Sequence, residues 1–182
     1  MIVFDRPGKE NTEKTLELAA KRARMDGVHL VVASSRGGTA EAAVRAAERE
    51  GIADRLVIVG SVVDKGVQKM NPETIAILRE KGIPLVITSH VLSGVERGLS
   101  TKMGGIYPAE IIAHTLRMLG QGVKVCVECG IMALDCAAIP YGEAIVAVGG
   151  TGNGADTACV LTPAGANAVL ECKVHEILCK PY

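Results

Sequence analysis

Three times between residues 11 and 88 the chain sets a helix with clear ends before a short, unbroken apolar run. The first helix starts at Asn11 or Thr12, either of which can cap it. It carries Leu16, Ala19 and Ala23 on one face and meets Gly27 as a left-handed C-cap. VHLVVAS (28–34) follows without polar alternation, as a strand covered on both faces requires. The second cycle places Ala40, Ala43, Val44 and Ala47 on one helix face, closes at Gly51 and continues into RLVIVG (55–60). The third opens with Asn71 and Pro72, a capping side chain followed by proline in the first turn. It ends at Gly82, before IPLVIT (83–88). This repetition predicts right-handed crossovers and a three-layer α/β/α fold around a mostly parallel sheet.

Beyond Thr88 the rhythm changes. Residues 89–107 read as one long loop, rich in glycine, serine and charge. Pro108 opens a helix with Ile112, Leu116 and Leu119 aligned, stopped by Gly120 and Gly122. Residues 123–138 fit two patterns. Val123, Val125 and Val127 alternate as on a half-buried strand, whereas a helix would put Lys124, Glu128 and Asp135 on one polar face. The helix is preferred, because the stripe then runs unbroken to Asp135. EAIVAV (143–148) and TACVL (157–161), joined by a glycine-rich turn, predict a hairpin and so an antiparallel strand near one edge of the sheet. Residues 174–178 add a short final strand.

Composition narrows the functional classes. A chain of 182 residues suggests one domain spanning 1–182. Twenty basic and twenty acidic residues cancel, which argues against a nucleic-acid partner. Aromatics at 2% leave no stacking platform for single strands. No apolar stretch reaches the roughly 18 residues of a membrane span. Charges also stand in MIVFDRPGKEN, where a signal peptide would be apolar. A cytoplasmic protein with no membrane partner is expected. The six cysteines (126, 129, 136, 159, 172 and 179) include a single C-x-x-C with no second pair, so they are read as small core residues and no metal site is expected.

Three segments carry candidate chemistry. Ser34, Ser35, Arg36, Gly37, Gly38 and Thr39 lie between a buried strand and a helix start, where free N–H groups and the helix dipole suit a phosphate. An ordinary capped turn uses the same residue types. The stretch lacks both the Gly-Lys-Thr ending of a Walker loop and the G-x-G-x-x-G spacing. The turn at 149–157, with Gly149, Gly150, Thr151, Gly154, Asp156 and Thr157, has more glycine than a tight hairpin needs, which fits either close approach to a ligand or turn chemistry alone. It also lies at the carboxyl end of a strand, the edge where open α/β sheets bind ligands. The 89–107 segment contributes Ser89, His90, Ser93 and Gly94. His90 is the best acid–base candidate, set against the reading of a hydrogen-bonded structural histidine.

These segments resemble a known family. SSRGGTA (34–40) after HLVVA is similar to the phosphate loop of the pyruvate kinase C-terminal domain, and EAIVAVGGTGNGADTACVLTPA (143–164) resembles that domain's last two strands. Over 1–182 the chain looks closer still to the stand-alone pyruvate kinase alpha/beta domain proteins of archaea and bacteria. PGKENTEKTLELA (7–19), VVASSRGGTA (31–40), SHVLSGVERGLSTKMGG (89–105), KVCVECGIMALD (124–135) and GGTGNGADTA (149–158) carry that likeness. The family has no established activity. The resemblance implies FMN, with its phosphate at residues 34–39, the 89–105 and 149–157 loops along the cofactor, and Met103 and Tyr107 near its ring. Gly60, Ser61, Val62 and Val63 stand where family members carry Thr-His and Gly-Phe, a departure that touches ring contact. Arg36 replaces a small hydroxyl residue. Nothing of a kinase barrel is present. The expectation is therefore a homo-oligomeric binder of a small phosphorylated cofactor. The alternatives are a non-enzymatic regulatory module for a sugar phosphate, as in allosteric pyruvate kinases, and a purely structural oligomer-forming domain.

Overall fold

A computed structural model describes residues 1–182, and its strands join in one sheet. The apolar runs become β2 (His29–Ala33), β3 (Leu56–Val59) and β4 (Leu85–Val86), in parallel register with Val32 beside Ile58 and Val59 beside Val86. The third run is cut to two residues because Pro84 has no N–H to give to a ladder. β5 (Ile145–Gly149) lies parallel to β2 on its other side, and β6 (Thr157–Thr162) returns antiparallel to β5.

The expected hairpin is present, but the sheet continues past it. β7 (Lys173–Pro181) is nine residues long, and β1 (Ile2–Phe4), unforeseen from sequence, pairs with it in parallel. The order is β1-β7-β6-β5-β2-β3-β4, so the one antiparallel strand, β6, lies inside the sheet.

Pleat alternation feeds two cores. On one face Leu30, Val32, Ile58, Val146 and Val148 meet α1 (Thr12–Asp26), α2 (Gly38–Glu50) and α3 (Pro72–Glu80). On the other, Val31, Val57, Val59, Ile145 and Ala147 meet α6 (Gln121–Asp135). The layers are helix, sheet, helix. The small side chains read from sequence let α1 and α2 sit close, through Ala19, Ala20, Ala23, Ala43 and Ala47, all wholly buried.

Gly27 and Gly51 cap α1 and α2 in the left-handed conformation, and Asn71 Oδ1 accepts from Thr74 N–H at the start of α3, as expected. The α1 start differs. Neither Asn11 nor Thr12 caps it through the side chain. Asn11 Nδ2 donates to the Arg6 carbonyl, and Thr12 Oγ1 accepts from Ala155 N–H, tying the helix start to the β5–β6 turn.

The long loop is also corrected. Residues 94–103 form α4 (Gly94–Met103), followed by α5 (Pro108–Arg117). Val95, Leu99 and Met103 recur at helical spacing, but four glycines in 94–105 masked the period. α4 buries no residue. No helix is long and apolar enough to cross a membrane.

Candidate functional site

β2, β3, β4 and β5 all end at one edge, so their following loops are neighbours there. Beside β2, Ser34 N–H donates to the Val59 carbonyl and Asn71 N–H to that of Arg36, which joins the 34–39 turn to the β3 end and to α3. Ser34 is buried, and its Oγ accepts from Ala40 N–H at 3.1 Å. It therefore caps α2 from inside the turn. Gly37 adopts φ 112° against Thr74 and Asn71, where a Cβ would stand 2.5 Å from Thr74 Oγ1, so its glycine serves packing against α3. Ser35, Arg36 and Gly38 are exposed and Thr39 is half-buried. The N–H groups of Gly38 and Thr39 take no acceptor within the chain, and the space over Gly38 is open. Across it, Glu41 in the first turn of α2 accepts from Thr74 Oγ1 at 2.5 Å.

The 149–157 turn folds onto its own chain. Asp156 is fully buried and accepts from Gly8 N–H, Thr151 N–H and Thr157 Oγ1 at 3.1, 3.1 and 2.8 Å. A Cβ at Gly154 would meet Lys9 Cα and Thr12 Oγ1 at 2.5 Å, and one at Gly150 the Gly154 carbonyl at 2.4 Å. Gly149 lies against the Gly122 carbonyl, 2.6 Å from the same construction. Close approach is indeed why these positions are glycine, but the approaching backbone is the protein's own.

The third segment turns to the α6 face. His90 Nδ1 lies 3.2 Å from Glu128 Oε2, and Leu92 N–H donates to Glu128 Oε1 at 3.1 Å. Lys124, one turn earlier on α6, pairs with the same carboxylate. Only 5% of Lys124 and 1% of Glu128 is exposed. The helix reading of 123–138 holds, but its polar stripe is no solvated face. Asp135 alone is exposed, and the pair at 124 and 128 lies inside the α6 core. Burial pushes the Glu128 carboxyl upward, yet the His90 hydrogen bond and the Lys124 charge outweigh it and hold the group below its ordinary value of 4.5.

The sign of the pH effect follows. A depressed carboxyl stabilises the fold above its unfolded value and loses that contribution as pH falls through the lower folded value. Denaturant midpoints of the wild type should therefore drop steeply below about pH 4.5, the ordinary carboxyl range, and Glu128→Gln should flatten that limb. Parallel acid limbs in the two proteins would refute the assignment.

An open cavity of about 530 Å³ lies beside this cluster, bounded by Ser89, His90, Ser93, Gly94, Met132 and Asp135 among others. His90, Ser89, Ser93 and Gly94 thus share one site, two strands away from the 34–39 turn in sheet order. Ser61 stood out in the sequence only as part of the Gly60–Val63 departure from the family pattern. Ser61 is 5% exposed and its Oγ has no hydrogen-bond partner, the one buried side-chain polar atom in that condition. It follows Val57 and Val59, the α6-facing residues of β3, at the same two-residue spacing.

Four cysteines, 126, 129, 159 and 179, are buried, Cys172 is half-buried and Cys136 is exposed, which corrects the reading of all six as core. Burial pushes the Cys129 thiol up to about 12 and raises that of Cys126, so both sulfurs are held as neutral thiols in the core. No three His, Cys, Asp or Glu side chains assemble as a metal site. No family model matches the chain.

Proposed function

We propose that the protein binds a small phosphorylated ligand at the carboxyl edge of β2 and β3, with the phosphate on the free N–H groups of Gly38 and Thr39. The observation that carries this reading is the pair of unused donors at the head of a thirteen-residue helix, under open space, beside exposed Ser35 and Arg36. The cytoplasm is the compartment this reading assumes, and a homo-oligomer the assembly.

FMN is the cofactor implied by the resemblance, and its phosphate fits. When bound it would supply hydride and electron transfer, while the chain's part is to hold and orient it. A sugar phosphate acting on a regulatory module is the second reading, and one observation favours it. The 149–157 turn is closed on residues 8–12, which takes up groups that the resemblance assigns to the ribityl chain and ring.

The test is a visible spectrum of the purified protein, then thermal shift with FMN and with fructose 1,6-bisphosphate. At 100 times its dissociation constant a ligand adds about 2.7 kcal/mol, or about 5–11 °C for a chain of this size. Thr39→Asp should weaken binding about tenfold or more by like-charge repulsion, while the melting temperature of the free protein holds, since Ser34 makes the cap and an acidic residue suits a helix start. Undiminished affinity in Thr39→Asp would move the phosphate elsewhere.

A further inference from the structure

We propose that the cavity beside α6 is a proton-transfer site in which His90 is the general base and the substrate is a small neutral hydroxy-carbonyl compound. It rests on residues other than those assigned to the phosphate, so it stands or falls separately.

The tautomer of His90 follows from its partners. Glu128 is ionised, faces Lys124 and takes the Leu92 N–H, and an ionised carboxylate only accepts. Nδ1 must therefore carry the proton shared with Glu128, so in the neutral ring the lone pair is on Nε2. Nε2 makes no hydrogen bond within the chain, and the side chain is 35% exposed on the cavity wall. A base with an available lone pair, oriented by a buried carboxylate that a lysine neutralises, is the arrangement proton abstraction needs. Packing does not require the charges, because an apolar pair of similar volume at 124 and 128 would fill a core of valine, isoleucine and cysteine, and only the Leu92 N–H would lose its acceptor.

The lining selects the substrate. Glu96 and Asp135 border the cavity and no lysine or arginine does, which disfavours an anion. Those carboxylates, with the Ser89 and Ser93 hydroxyls, suit the hydroxyl groups of a neutral compound. α4 begins in this wall, and the N–H groups of Gly94 and Val95 find no acceptor in the chain. They can receive a carbonyl oxygen as it gains negative charge. A volume of about 530 Å³ accommodates a molecule of this kind. In the step, His90 Nε2 takes a proton from the carbon next to the carbonyl. The C–H pair becomes a C=C bond and the carbonyl π pair moves to oxygen. Return of a solvent-exchanged proton from the imidazolium to the same carbon gives exchange. Return to the former carbonyl carbon, with the neighbouring hydroxyl proton passing to the enediolate oxygen, gives aldose–ketose isomerisation; either regenerates His90 with no oxidant or co-reactant.

The experiment follows loss of the proton signals next to the carbonyl in dihydroxyacetone and erythrulose by NMR in D2O. Wild type should exchange at least about 100-fold faster than His90→Gln, the lower range for general base catalysis. His90→Gln keeps the Lys124–Glu128 pair, so an unchanged melting temperature places the loss at the ring. Glu128, a positioning residue, should on change to Gln lower kcat with little change in KM, and added imidazole should partly restore His90→Ala. Exchange of both probes at the buffer rate in the wild type, or equal rates in wild type and His90→Gln, would overturn the proposal.

Discussion

Glu128→Leu is expected to cost about 3–5 kcal/mol, the range for stranding one member of a buried ion pair. On a chain of this length that is a fall in melting temperature of about 6–20 °C. The change leaves the Lys124 ammonium in the α6 core with no counter-charge, and it removes the acceptor of Leu92 N–H and the partner of His90. The double variant Lys124→Met/Glu128→Leu should recover part of the loss. What remains is the unpaired Leu92 N–H, about 1–3 kcal/mol. Chemical denaturation of the two single variants and the double variant checks this through the coupling energy. A double variant no more stable than Glu128→Leu alone would show that Lys124 and Glu128 do not act as a pair.

The second large effect concerns two glycines that look alike in sequence. Gly122 and Gly98 both lie inside helices, where alanine is intrinsically better by about 1 kcal/mol. At Gly98 nothing lies within 4 Å of an added Cβ, so Gly98→Ala should stabilise by up to about that amount. At Gly122 the same methyl would stand 2.0 Å from Thr157 Oγ1 and 2.4 Å from Thr157 Cβ. Gly122→Ala must push the α6 start away from β6 and should destabilise by about 1–3 kcal/mol or more, as overpacking does. Urea midpoints moving in opposite directions would bear this out, and a Gly122→Ala protein as stable as the wild type would show that the α6–β6 contact is looser than drawn.

The contrast between these glycines marks where sequence reading stops. Gly27, Gly51 and the Asn71–Pro72 pair act within one turn of the backbone, so their roles follow from local chemistry and were legible. Gly122, Gly150 and Gly154 answer to atoms distant in the chain or across a turn. The sequence could say only that something comes close, not that it is Thr157, Gly154 itself or Lys9. Ser34 shows the same limit at shorter range. Its hydroxyl belongs at a helix start, as read, but it is buried and takes the Ala40 N–H from inside the turn.

By itself the sequence determined the layered parallel architecture, because an uninterrupted apolar strand is stable only when both faces are covered, and the helix ends punctuate those runs. It also singled out His90 as a histidine at a strand end. Only the tertiary structure decided what His90 is paired with. The lysine and glutamate that look like a solvated stripe on α6 are turned inward by packing against β2, β3 and β5. Once out of water, they need each other and the imidazole to remain charged.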